Sequence, residues 1–144
     1  WQIVQSKEHA VILQEMMHDA RIIPLTDMPH APEAIELLHG DSRGYWDGDT
    51  LVVETRNYSD RSELSHNRAE LNVERITRIG EGQLRYQLTS NDPGTYSAPY
   101  TREIIFDYSD GDIYEFACHE GNYALPNMLQ GAREEERREA AGEN

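Results

Sequence analysis

Three stretches of this chain place a tight-turn signal between two extended runs, and each demands antiparallel pairing. They are "YWDGDTLVVETRNY" with Asp47-Gly48, "LNVERITRIGEGQLRYQLTS" with Glu81-Gly82, and "TREIIFDYSDGDIYEFAC" with Asp110-Gly111. Asp-Gly between β-rich runs is a strong two-residue hairpin signal, because those residues tolerate the positive φ that a tight hairpin needs. Upstream, "QIVQ", "AVILQEMM" and "ARIIPL" read as further short strands separated by "SKEH" and "HDA". The segment "TDMPHAP" carries two prolines and reads as loop, and "PEAIELLHG" as one short helix ending at Gly40. The end of the chain reads as a C-terminal helix. The expected fold is mainly β: an antiparallel barrel or half-barrel, lipocalin-like or jelly-roll-like, whose edge the C-terminal helix covers. Residues 1–131 would form this single domain, with the start of that helix, and 132–144 a charged helical tail that frays.

Charge narrows the partners. Thirteen Lys and Arg against 27 Asp and Glu give −14, and "REEERREAAGEN" contributes only −2, so the folded body is itself acidic. Such a body repels phosphate backbones and anionic lipid, which argues against nucleic acid and membrane surfaces as partners. Neutral or cationic small molecules fit better. The longest apolar run is "AVIL", far short of a membrane span. The single cysteine, Cys118, allows no internal disulfide.

Gly40, Ser42 and Gly44 match the G-x-S-x-G of a nucleophile elbow. That motif needs a strand before the serine and a helix after it. Here a helical pattern precedes and a hairpin strand follows, so Ser42 reads as a turn residue. The six histidines show no H-x-H, H-E-x-x-H or Cys/His cluster. No metal site or cofactor is therefore expected from spacing. A metal-dependent enzyme would need His18, His39 or His119 gathered with carboxylates by the fold.

The hairpins also suggest an interior site. With Asp110-Gly111 as a turn, Ile104, Phe106, Tyr108, Ile113 and Ala117 share one face with Glu115, and Arg102 with His119 closes its end. With Glu81-Gly82 as a two-residue turn, Arg75 and Tyr86 point inward; a loop one residue longer brings Glu74 inside instead. A carboxylate among apolar neighbours must be paired or protonated. Two readings stand: a structural Arg75–Glu115 ion pair, or a polar ligand pocket. In the second, Glu115 and His119 are the catalytic candidates, working by proton transfer, and Arg75, Tyr86 and Arg102 are ligand-binding candidates. Tyr96 and Tyr100 in "NDPGTYSAPY" join them as an aromatic rim.

Taken together, "HDARIIPL", "GDSRGYWDGDTLVVET", "VERITR", "NDPGTYSAPYT" and "YEFACHEGNYALPNMLQGAR" resemble an uncharacterised family of bacterial exported proteins, from Ile3 to about Arg133. The resemblance implies an extracytoplasmic, periplasmic or secreted location. It also implies a longer native chain with an export signal, in keeping with a sequence that opens on Trp1. It brings no catalytic residue. Where the resemblance leads one to expect a basic residue before Pro29-His30, this chain has Met28. The functional expectation is an exported module that binds or transforms a neutral or cationic, sugar-like ligand. Its competitors are a non-catalytic assembly domain, forming a homo-oligomer or filament, and the metal-dependent enzyme.

Overall fold

The computed structural model describes residues 1–59, 70–114 and 123–142. Eight strands form two antiparallel sheets. β1 (Gln2–Gln5), β2 (His9–Leu13) and β3 (Ala20–Pro24) make a three-stranded sheet. β4 (Asp41–Asp47), β5 (Thr50–Arg56), β6 (Leu71–Gly80), β7 (Gln83–Asn91) and β8 (Tyr100–Asp107) make a five-stranded meander in chain order. A helix, α1 (Ala124–Ala141), follows. The mainly β, antiparallel expectation holds, but no closed barrel forms among the described residues. No helix among them is long and apolar enough to cross a membrane.

The sheets meet through their apolar faces. Ala10, Ile12 and Ile23 from the small sheet pack on Leu51, Val53, Ile76, Tyr86 and Leu88 from the large one, with Ile3, Leu25, Leu84 and Phe106 at the margins. Period-2 alternation explains the choice of residues: Ala10 and Ile12 face inward from β2, while Val11 between them faces out. A parallel bridge from Leu25 to Gly44 ties the end of β3 to β4. Gly44 is required there. A Cβ at this position would lie 2.9 Å from both Ile23 Cγ2 and Leu25 Cδ2, so the missing side chain is what lets the small sheet approach.

Several expectations need correction. "PEAIELLHG" is not helical. Ile35 N–H donates to Pro32 O and Gly40 N–H to Leu37 O, which closes two separate turns. Leu37 meanwhile spends its own N–H on Asn57 O and accepts from Ser59 N–H. A short helix is costly to nucleate and needs a buried face, whereas Ile35, Leu37 and Leu38 stay exposed. Ser42 lies within β4, not in a turn; it is buried, with Oγ 2.9 Å from Thr55 Oγ1. The first hairpin turn sits one residue later than expected, at Gly48-Asp49, because Asp47 pairs with Thr50. Gly48 has φ 60° and Asp49 stays negative, the II′ pattern that wants glycine first. The Glu81-Gly82 turn falls where the sequence places it. Of the third hairpin, β8 is present, Tyr108–Tyr114 takes no strand and the expected Tyr108–Ile113 pair is absent, while the rest of its second arm lies outside the described residues. α1 forms and runs unbroken across residue 131, yet its described side chains are almost all exposed, so it does not cover the sheet as expected.

Gly44→Ala should therefore cost about 1–3 kcal/mol, the usual penalty for overpacking a tight contact. Urea denaturation measures it; an unchanged midpoint would mean the sheets are not held together at this seam.

Candidate functional site

The register of the large sheet sets out its inner face in rows. One row runs Gly44, Val53, Glu74, Leu88 and Arg102; the next runs Trp46, Leu51, Ile76, Tyr86 and Ile104. Glu74 owes its place to a bulge. β6 pairs Arg78 with Leu84 and then Gly80 with Gln83, so Ile79 is an extra residue that shifts everything before it by one. The two-residue turn is present, but the bulge brings Glu74 inward and turns Arg75 out. Arg75 instead binds Asp47 at 2.6 Å on the solvent side, where both are half-exposed. The expected interior role of Arg75 is thereby overturned.

Glu74 is only 4% exposed. Arg21, reaching across from β3, brings Nη1 to 2.7 Å from Oε2 and donates from Nη2 to Oε1 at 2.9 Å. Tyr86 donates its hydroxyl to Oε1 at 2.8 Å. Burial opposes the charge on Arg21, but the charge of Glu74 and its hydrogen bond prevail and hold the guanidinium above its already high ordinary pKa. Burial, then the neighbouring Glu74 charge, pushes the Tyr86 phenol well up, so it stays a donor. Beside this trio, Asn72 donates to the Tyr58 hydroxyl at 3.0 Å, and burial raises that phenol too. These groups form a polar seam between the sheets, in which Arg21 Nε and Asn72 Oδ1 stay buried without a hydrogen-bond partner.

A second cluster fastens the loop before β4. The Asp41 carboxylate accepts from Ala31 N–H at 2.8 Å, from Arg43 Nη1 at 2.5 Å and lies 3.2 Å from His30 Nδ1. Burial pushes Asp41 up, but these three partners outweigh it and the carboxyl rests below its ordinary range.

The open feature is a cleft of about 1030 Å³ at the β1 side of β7 and β8. Aromatic rings line part of it, among polar side chains. Trp1 stands edge-on to Tyr86 with centroids 5.2 Å apart and lies 4.9 Å from Phe106, and Tyr86 and Phe106 are 6.0 Å apart. Ile76 and Leu84 add apolar lining, and Glu15 and the 107–112 segment form the rim.

Of the residues singled out in the sequence, Tyr86 is inside and also lines the cleft. Arg102 takes an inner-face position opposite Leu88 but is exposed and does not line the cleft. Tyr96 and Tyr100 touch each other at 4.8 Å, edge to face, away from the cleft lining. Glu115 and His119 lie outside the described residues. His39 pairs with Asp19 at 2.7 Å near the surface, and among the described residues no three His, Cys, Asp or Glu side chains converge on a metal position. Arg21 was missed, although its alternation with Ile23 in "ARIIPL" already puts both on one face. Comparison with protein-family models, curated proteins and solved structures finds no match.

Two outcomes follow. Glu74→Gln should destabilise the fold by about 3–5 kcal/mol, because it leaves Arg21 buried without its counter-charge, whereas Arg21→Met with Glu74→Leu should recover most of the loss. Denaturation of both variants beside the wild type checks this; a stable Glu74→Gln would detach the pair from the fold. For Asp41, the folded pKa lies below the unfolded value of about 3.9, so its contribution is complete above that value and is lost as pH falls through the folded one. Asp41→Asn should accordingly be less stable than wild type at neutral pH, with the gap closing in acid. A gap that does not vary with pH would contradict this.

Proposed function

We propose that this chain is an exported small-molecule-binding module that holds a neutral or cationic ligand in the cleft beside β7 and β8. We read the two sheets, joined along the β3–β4 seam, as a half-barrel with the cleft at its open side. The observation that carries the binding reading is the cleft itself: about 1030 Å³, walled by Trp1, Tyr86 and Phe106. Ligand sites are concave, mostly apolar and of several hundred Å³ or more. In the polar seam the Glu74 carboxylate is already taken up by Arg21 and Tyr86, although Arg21 Nε and Asn72 Oδ1 are buried without a hydrogen-bond partner. The exported location rests on the family resemblance. Catalysis by Glu115 and His119 is not needed for this reading, which is one of binding.

A second reading, an assembly domain, draws on the outer face of the small sheet. Val4, Val11 and Ile22 lie in one cross-strand row there, with Val4 55% and Ile22 63% exposed. Homo-association through that row with an empty cleft would favour it.

A panel of neutral and cationic metabolites screened by thermal shift should contain compounds that raise the thermal midpoint by several degrees. Tyr108, 76% exposed in the cleft lining, can be removed without disturbing the core. Tyr108→Ala should keep the apo midpoint and weaken those compounds several-fold. No stabilising compound at all, or hits indifferent to cleft substitutions, would count against the proposal.

A further inference from the structure

We infer that the ligand of this cleft is an organic cation whose charge is wrapped in apolar groups, of the quaternary or tertiary ammonium kind. The inference rests on the cleft being a binding site and adds the class of ligand. Charge comes first. The lining carries four carboxylates, Glu15, Asp107, Asp110 and Asp112, against one guanidinium, Arg78. Arg78 is turned onto its own strand end, donating from Nε to Gly80 O at 3.3 Å. An anion would therefore meet a net negative rim in a molecule of net charge −14.

The walls then decide between kinds of cation. A hard metal ion wants several oxygen ligands in its first coordination sphere, and among the described residues no three such groups converge. The lining instead combines the rings of Trp1, Phe106 and Tyr108 and the aliphatic side chains Ile76 and Leu84 with the carboxylates of the 107–112 segment and Glu15. Trp1 and Tyr108 are both substantially exposed, which leaves ring surface for a ligand to contact. The face of an aromatic ring attracts a cation within about 6 Å of its centroid, Trp most strongly. Rings for contact and carboxylates for long-range attraction suit a charge that is spread over methyl or methylene groups. A neutral sugar could stack on Trp1 and donate hydroxyl hydrogen bonds to these carboxylates, but it would gain no net charge attraction from them.

The probe set is choline, its neutral carbon isostere 3,3-dimethylbutan-1-ol, and the anion 3,3-dimethylbutanoate, titrated against the intrinsic tryptophan fluorescence of the intact chain. Choline should bind about tenfold or more tighter than the isostere, the scale of a desolvated cation–π contact. Its affinity should fall several-fold between about 20 and about 300 mM salt. Asp110→Asn with Asp112→Asn should weaken choline several-fold. Asp27→Asn with Asp49→Asn, which removes the same charge away from the cleft, should not. Equal or tighter binding of the isostere or the anion overturns the cation assignment and leaves the cleft as a site. So does failure of choline to bind while other panel compounds do. Failure of every compound in both experiments removes the site, and the cation with it.

Discussion

The ion pair between Arg21 and Glu74 joins the two sheets at the middle of their interface, and the arrangement of β6 depends on it. Buried pairs of this kind add little net stability over well-packed apolar residues of similar size. Their value lies in what they forbid. A slip of one residue in β6 would present Arg75 in place of Glu74 to Arg21, setting two guanidinium groups against each other inside the core. The bulge at Ile79 is the local device that avoids this, spending one unpaired residue near the hairpin end so that the acid faces in. The freed Arg75 then joins the solvent face, where it binds Asp47 beside the Thr50–Thr77 and Gln87–Glu103 cross-strand pairs.

Tyr86 carries this constraint outward. Its hydroxyl is held by Glu74 and its ring stands against Trp1 and Phe106. The aromatic wall of the cleft is thus positioned by a hydrogen bond made inside the core. A wall whose rotamers are fixed before a ligand arrives gives up less side-chain entropy on binding. Interior and cleft are two ends of one side chain, even though only the second has room for a ligand.

Local turn chemistry and alternation made the sheets legible in the sequence. "RIGEGQ" marks its turn at Glu81-Gly82, and "HAVIL" and "ARIIP" sort their inward residues by period 2. The failures have identifiable causes. In "LNVERITRIG" both alternating sets contain an aliphatic residue and a charge, so only the bulge decides between Glu74 and Arg75, and nothing local announces a bulge at Ile79. "PEAIELLHG" has helical periodicity, but the amide and carbonyl of Leu37 at its middle are claimed by Asn57 and Ser59, partners some twenty residues downstream that no window of that length contains. The cleft was invisible for a similar reason: Trp1, Tyr86 and Phe106 are brought together by topology alone.

That topology also explains why the cleft lies where it does. Three strands are set over five, and β3 is pinned at the β4 edge by the Leu25–Gly44 bridge, where glycine allows the closest approach. Among the described residues, cover therefore runs out toward β7 and β8. With strands about 4.8 Å apart, a shortfall of two strands leaves roughly 10 Å of inner face. Among the described residues the exposure follows this gradient: Ile23 and Val53 near the seam are fully buried, while Ile104 on β8 is 40% exposed although it occupies an inward position. β1 ends the small sheet at that margin, and the Trp1 ring beside it packs against Phe106. Among the described residues this margin of the inner face stays partly exposed and is bordered by carboxylates, which is where the proposed amphipathic cation would gain both contact and attraction.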